Sequence, residues 1–213
     1  MQRFDDEGPW DRLEELGVSH DLFHEVLDKA AADARACTKF DAPSMKGTTF
    51  WSRANRYLAE GLRPQQWLHT PKDSILRVIH PTRSHAITVM SAAGGVGDLT
   101  KRVRSKNPKG SEVSKLVEKT GQLVLLSEDV VRFGKELDDI PTWILLYRRS
   151  KEIKAELSLP KKMNGKYINE WHERIPLNLP DLGEPGNRAP MVDTPLDTRG
   201  DDTEVVVEFR ESQ

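Results

Sequence analysis

The residues best suited to catalysis are two carboxylates and a lysine that flank a predicted strand. Asp139 precedes this strand, while Glu152 and Lys154 open the next one on a common face. Such carboxylates could hold Mg²⁺ while the lysine assists an attacking water, which is the chemistry of a metal-dependent nuclease. The solvated face of a strand shows the same spacing in a chain with 31% charged residues. The nuclease is therefore the alternative hypothesis, and it alone requires a cofactor, Mg²⁺.

A pair of histidines, His20 and His24, is a second candidate. Four residues apart on a predicted helix, they share one face and could bind one metal ion. No third ligand is recognisable, and the pair lies in the first turn, so a solvated helix start is the preferred interpretation. The glycine-rich run Gly94–Gly97 lacks the spacing of a phosphate-binding loop and predicts a flexible turn.

Clustered cations are the stronger indication of a binding function. They lie between residues 101 and 109 and directly after a predicted strand, and they are Lys101, Arg102, Arg104, Lys106, Lys109, Arg148 and Arg149. Surface cations bind phosphates in a salt-dependent manner that is largely independent of sequence. Aromatic residues that could stack on bases are missing from the 101–109 segment, which disfavours single-strand recognition. The leading hypothesis is a non-enzymatic, nucleic-acid-associated binding module, against a loop that only solubilises the chain.

The formal net charge of −2 conceals an uneven distribution. Residues 1–100 carry 12 basic and 14 acidic side chains, residues 101–174 carry 17 and 11, and residues 175–213 carry 3 and 9. A basic middle and an acidic C-terminal region indicate contact with a polyanion, or an interaction between the two regions. We therefore expect the acidic tail to compete with nucleic acid for the basic surface.

The composition limits the other classes of protein that the chain could represent. Hydrophobic residues make up 37% of it, and no window approaches the roughly 18 apolar residues of a membrane span. The acidic N-terminus lacks the features of a signal peptide, so we expect a cytoplasmic protein without membrane contact. The single cysteine, Cys37, excludes an internal disulfide, and its position on a helix predicts a buried, inert thiol. The oligomeric state is left open.

Three successive strands are predicted between residues 142 and 177, and the rest of the chain is expected to pack around them. The continuous apolar run Thr142–Tyr147 is typical of a central strand that is covered on both faces. Residues 152–159 alternate apolar and polar, so one face of this strand should meet water, and Pro160 should end it. The pair Asn164-Gly165 favours a tight hairpin.

The remaining elements follow from periodicity and turn residues. Helices are predicted at 9–16 and 20–38, and a third helix, capped at Thr48 or Thr49, should bury Phe50 and Trp51. Residues 75–79 and 86–90 predict a hairpin of the same sheet. Residues 99–110 predict an exposed, mobile loop before a helix at Ser111, and Pro176 favours an edge strand.

The fold class predicted is therefore α+β, with N-terminal helices packed on a mainly antiparallel sheet and an extended acidic C-terminal tail. Residues 1–177 should form one domain that is helical over 1–62 and contains the sheet over 73–177. A proline-rich linker should follow at 178–203. The terminal β-prone segment at 204–210 could add to a sheet edge, which makes a protein-interaction subunit the second alternative.

Overall fold

The computed structural model describes residues 9–72, 75–125 and 140–179 of the 213-residue chain. Within these ranges the helices are α1 (Pro9–Glu15), α2 (His20–Arg35), α3 (Met45–Leu62) and α4 (Ser111–Leu125). The strands are β1 (Leu68–Lys72), β2 (Ile75–Ile79), β3 (Ala86–Gly94), β4 (Val103–Ser105), β5 (Thr142–Arg149), β6 (Ile153–Asn164) and β7 (Tyr167–Leu177). The predicted α+β class is confirmed.

The strands form one mixed sheet in the order β1-β2-β3-β5-β6-β7, with β4 paired to the end of β3. All pairings are antiparallel except that of β3 with β5. A parallel pair needs a long connection, and here β4 and α4 lie in the chain between the two strands. The mainly antiparallel sheet, the β2–β3 hairpin and the edge position of β7 were all predicted correctly. The sheet begins at Leu68, earlier than the expected boundary at residue 73.

Strand β5 lies at the centre of the sheet and is covered on both faces, as predicted. Trp143, Leu145 and Tyr147 point into the larger core, which α1, α2 and α3 complete on one face. Ile144 and Leu146 point to the opposite face, where they pack with residues of β4, α4 and β7. The continuous apolar run of this strand is thus explained by two separate cores, one on each face.

Helix α2 begins at His20 as predicted but ends at Arg35, three residues before the predicted end, and its N-cap Ser19 accepts a hydrogen bond from the Leu22 amide. Helix α3 differs, because it begins at Met45, several residues before the predicted cap. Trp51 is 42% exposed instead of buried, and its indole N–H reaches the Val89 carbonyl oxygen at 3.1 Å. Cys37 follows the end of α2 and is only half-buried, so its assignment to the core was wrong.

Strand β6 departs from its prediction in two ways. It passes through Pro160 to Asn164, and the register of its pairing with β7 shifts around this proline. Proline has no backbone N–H, so an irregularity in the ladder accommodates it within the strand. The face expected to meet water is buried at Glu156 and Ser158. The hairpin to β7 was predicted correctly, and Gly165 supplies the positive φ of +56° in its turn.

The segment 99–110 also differs from its prediction as an exposed, mobile loop, because three of its residues form the strand β4. Val103 and Ser105 are buried, and β4 pairs with Ala92–Gly94 of β3. The predicted linker, the acidic tail and the terminal β-segment lie in 180–213, outside the described residues. In the described ranges no helix is long and apolar enough to cross a membrane.

A cluster of aromatic rings forms where the loop between β2 and β3 meets the helical layer. The imidazoles of His80 and His85 stack with their centroids 5.0 Å apart, and Trp67 packs edge-on against both. His85 donates from Nε2 to the Leu16 carbonyl oxygen at 3.1 Å, while the Thr82 amide donates to Nδ1 of His80 at 3.2 Å. Burial lowers the pKa of His80 below its ordinary value of 6.5.

Acidification below about pH 6.5 is expected to lower the free energy of unfolding. The pKa of His80 is lowered by burial, and the pKa of His172 is lowered by burial and then by the positive charge of Lys161. Below pH 6.5 the unfolded chain therefore binds protons at these histidines more readily than the folded chain, so their contribution to stability declines as the pH falls below this value. Urea denaturation from about pH 7.5 to about pH 5 measures this decline. A variant His80→Gln should show a shallower decline, and an unchanged profile would contradict the assignment to His80.

Candidate nucleic-acid interface

Three of the predicted phosphate-binding cations form a row along the β4 segment. The strand β4 covers Val103–Ser105, and the side chains of residues 102–106 alternate between exposed and buried. Arg102, Arg104 and Lys106 are exposed, whereas Val103 and Ser105 are buried beneath them. We call these three cations the basic stripe. Alternate residues of a strand lie about 6.6 Å apart, so the stripe is about 13 Å long.

The buried side of this segment is attached to strand β7. The indole N–H of Trp171 donates to the Val103 carbonyl oxygen at 3.1 Å, and the Ile168 amide donates to Oγ of Ser105 at 3.1 Å. Both bonds are buried, where competition from water is weak. They place the stripe over the edge strand and orient its cations away from the sheet.

A buried ion pair lies beneath the loop that leads into the stripe. Glu156 of β6 is 0% exposed and Arg174 of β7 is 4% exposed. Nε of Arg174 lies 2.8 Å from Oε1 of Glu156, and Nη2 lies 2.7 Å from Oε2, so the contact is bidentate. The hydroxyl of Ser158 donates to the same carboxylate at 2.8 Å.

This ion pair also holds the loop between β3 and β4. Arg174 donates from Nη1 to the Lys101 carbonyl oxygen at 2.8 Å and from Nη2 to those of Gly95 and Asp98 at 3.2 Å each. The Gly97 amide donates to Oε2 of Glu156 at 2.8 Å. The glycine-rich run expected to be a flexible turn is therefore fixed by charge-assisted hydrogen bonds.

The partners of the stripe cations decide how available they are for a ligand. Across the described ranges, the side chains of Arg102 and Lys106 make no hydrogen bond or ion pair. Arg104 lies over the ring of Tyr167, with Cζ 4.5 Å from the ring centroid, and donates to the Ser105 carbonyl oxygen at 3.3 Å. Neither contact is with a carboxylate, so within the described ranges none of the three cations has a countercharge.

The other cations of the predicted set are placed less uniformly. Lys101 is exposed but pairs with Asp98, whose carboxylate lies 2.9 Å from Nζ. Hydrogen bonds from Thr100 and Lys101 lower the pKa of Asp98, which keeps this carboxylate charged. Lys109 is partly buried, and burial lowers its pKa. Lys101 therefore has a countercharge, and Lys109 is less accessible to a ligand than the stripe cations.

The two arginines at the end of β5 point to opposite faces of the sheet. Arg148 donates from Nη1 to the Gly94 carbonyl oxygen at 2.7 Å, on the face that carries the stripe. Arg149 donates to the Lys46 carbonyl oxygen at 3.1 Å, and its Cζ lies 4.7 Å from the ring centroid of Phe50 in the helical layer. Burial lowers the pKa of Arg149. The structure therefore brings Arg148 to the stripe's face and takes Arg149 away from it.

Two of the three residues of the nuclease hypothesis, Glu152 and Lys154, lie within the described ranges. Glu152 and Lys154 are both exposed, and Nζ of the lysine lies 3.9 Å from Oε2 of the glutamate. Asp139 lies outside the described residues. Among those residues, no group of three His, Cys, Asp or Glu side chains is arranged to hold a metal ion. The nuclease hypothesis stays a prediction.

The histidine pair on α2 is divided between two environments. His20 is buried, its Nε2 lies 3.0 Å from the Asn178 carbonyl oxygen, and its ring packs against Trp10 at 4.2 Å between centroids. A carbonyl oxygen only accepts, so Nε2 of His20 carries the proton in this contact. His24 is half-buried one turn later. The contacts of His20 join α2 to α1 and to the end of β7.

Sequence reasoning missed Glu156 and Arg174, the two residues that fix the loop. The sequence places Glu156 on a solvated strand face and gives Arg174 no role beyond the positive charge of its region. One signal was present for the stripe itself, because Arg-Val-Arg-Ser-Lys at 102–106 has the strict alternation of a short strand.

By architecture the described part of the chain is an α+β protein with a mixed sheet between a helical layer and a second layer of β4 and α4. Comparison of the chain with protein-family models, curated proteins and solved structures finds no match.

Proposed function

We propose that the protein is a non-enzymatic, nucleic-acid-associated binding module whose contact surface is the basic stripe. One observation carries the proposal: three outward-facing cations occupy alternate positions of a segment whose buried side is hydrogen-bonded to β7. Two of the three, Arg102 and Lys106, have no internal partner within the described ranges. Such cations displace the counterions of a phosphate backbone without losing an existing ion pair.

The attachment of the stripe favours binding for a second reason. A loop that is ordered only when it meets its ligand loses conformational entropy on binding, which weakens the complex. Here the Glu156–Arg174 pair and the Trp171 contact already order the segment in the free protein. The binding energy of the cations is therefore not offset by a large ordering cost.

Neutralising the stripe tests the proposal. The triple variant Arg102→Gln, Arg104→Gln and Lys106→Gln should lower duplex affinity at least about tenfold at low salt. The slope of log K against log salt should become shallower by about 2.7. The matched control is the triple glutamine variant of the exposed cations Arg35, Lys39 and Arg63, which removes the same charge from the helical layer. Fluorescence anisotropy at about 50 to 200 mM salt measures both quantities.

Two results would overturn the proposal. The wild-type protein could fail to bind any nucleic acid at low salt, or the control variant could lose as much affinity as the stripe variant. The second result would show that net charge alone governs the interaction, with no defined contact surface.

We further propose that the acidic C-terminal region competes with nucleic acid for the stripe. Its 9 acidic and 3 basic side chains over residues 175–213 are the basis of this proposal. Replacing Asp201 and Asp202 by asparagine and Glu204 by glutamine should tighten duplex binding at low salt, about threefold or more. The control neutralises Glu14, Glu25 and Asp28 in the helical layer, with the same change in net charge. Equal affinity in both variants would refute competition by the tail.

A further inference from the structure

We infer that the basic stripe selects double-stranded over single-stranded nucleic acid, without regard to sequence. This inference rests on the proposed function and specifies its ligand. Its basis is the combination of a row of three exposed cations with the lack of a series of exposed aromatic rings beside them in the described ranges.

The aromatic rings nearest the stripe are already occupied. Tyr167 lies under the guanidinium of Arg104 at 4.5 Å. Trp171 is 8% exposed, and its indole N–H is bonded to the Val103 carbonyl oxygen. Proteins that bind single strands without sequence preference use open aromatic faces on which successive bases stack. Trp171 is buried and Arg104 covers one face of Tyr167, so the stripe lacks a row of open rings on which successive bases could stack.

The exposed aromatic side chains of the described residues lie elsewhere. Trp10, Phe40 and Trp51 are the large exposed ones, and they belong to α1, to the loop after α2 and to α3. The helical layer covers the face of the sheet opposite to β4 and α4. A strand bound along the stripe therefore cannot stack its bases on these rings.

Because base stacking does not contribute, the difference in affinity between a duplex and a single strand depends on their charge densities. A duplex carries one phosphate per about 1.7 Å of axis with both strands counted, whereas one of its strands carries one per about 3.4 Å, so the negative potential at the stripe is stronger beside a duplex. The salt slope per neutralised phosphate is also steeper for a duplex, about −0.9 against about −0.7. The cations of the stripe read neither base edges nor base faces, so affinity should not depend on sequence.

The test compares one duplex with each of its two separated strands, using the full-length protein. At about 50 mM salt the duplex should bind at least about fivefold more tightly, and its affinity should fall about 40-fold by about 200 mM, the value for three phosphates. A duplex of unrelated sequence should bind equally well. A single strand that binds as tightly as the duplex would overturn the inference while leaving the proposed function intact. Absence of binding to every nucleic acid would overturn both.

A substitution at Tyr167 separates phosphate contact from base stacking. Tyr167→Leu keeps an apolar side chain beneath Arg104 but removes the aromatic face. Any effect of the substitution on Arg104 acts on both ligands, so the ratio of duplex to single-strand affinity should be unchanged, whereas a stacking role would raise this ratio at least about fivefold. A comparison with vesicles that carry anionic headgroups tests whether the stripe selects nucleic acid over an anionic lipid surface. Vesicle binding as tight as duplex binding, and equally sensitive to the triple stripe substitution, would overturn selection of nucleic acid.

Discussion

Replacing Arg174 by methionine is expected to lower the free energy of unfolding by about 3 to 5 kcal/mol. The substitution leaves the carboxylate of Glu156, which is 0% exposed, without a countercharge. It also removes the donors to the carbonyl oxygens of Gly95, Asp98 and Lys101. Removing one partner of a buried ion pair costs more free energy of unfolding than replacing both partners by apolar residues, because one desolvated charge then remains without a countercharge.

Equilibrium urea denaturation measures this effect, and a surface pair provides the control. Arg56 pairs with Glu60 at 2.7 Å on the solvent-exposed side of α3, so Arg56→Met should leave the urea midpoint nearly unchanged. The double variant Glu156→Leu with Arg174→Met should regain much of the lost stability, because no charge stays buried. A loss below about 1 kcal/mol for Arg174→Met would contradict the described burial of this pair.

The Glu156–Arg174 pair also connects stability to the proposed function. It holds the loop that enters the stripe, so a variant that loosens this loop should weaken duplex binding although every stripe cation remains. Hydrogen exchange at the Gly97 amide reports directly on the loop, since its partner is Oε2 of Glu156 at 2.8 Å. Faster exchange together with weaker binding would identify Glu156 and Arg174 as positioning residues for the stripe.

The parts of the fold that were predicted correctly depend on local signals. The apolar run Thr142–Tyr147 is too short for a buried helix, and it forms the central strand β5. Gly165 allows the positive φ of the turn between β6 and β7, and Pro176 lies on an edge strand. Each of these features is determined by a few neighbouring residues and does not require knowledge of the rest of the chain.

The features that were missed depend on which segment covers which face. The alternation of residues 152–159 shows that polar side chains share one side of β6, but it does not reveal that the 94–102 loop covers that side. Glu156 contacts Arg174, 18 residues away in the chain, because the β6–β7 register places Arg174 opposite Ser158, two residues from Glu156 on the same face of β6. Five charges within residues 101–109 suggested a loop, although their alternation with Val103 and Ser105 indicated a strand.

Truncating Phe50 to alanine should cost about 3 to 5 kcal/mol of unfolding free energy, the range for a buried aromatic residue. Phe50 is fully buried in α3, its ring centroid lies 4.7 Å from that of Tyr147, and the guanidinium of Arg149 covers it at 4.7 Å. The substitution leaves a cavity between the helical layer and β5 and removes both ring contacts. Burial also raises the pKa of Tyr147 to about 12, so its hydroxyl stays neutral and cannot replace the lost contact with Arg149 by an ion pair.

The same substitution at Phe40 is a matched control. Phe40 is 88% exposed, so Phe40→Ala should change the unfolding free energy by no more than about 0.5 kcal/mol. Thermal or urea denaturation distinguishes the two variants, and equal stability would contradict the placement of α3 on the sheet.

Phe50 lies on the face opposite to Glu156 and the stripe. At temperatures where Phe50→Ala remains folded it should therefore bind a duplex like the wild type, whereas Arg174→Met should not, because only the latter disturbs the loop that carries the cations.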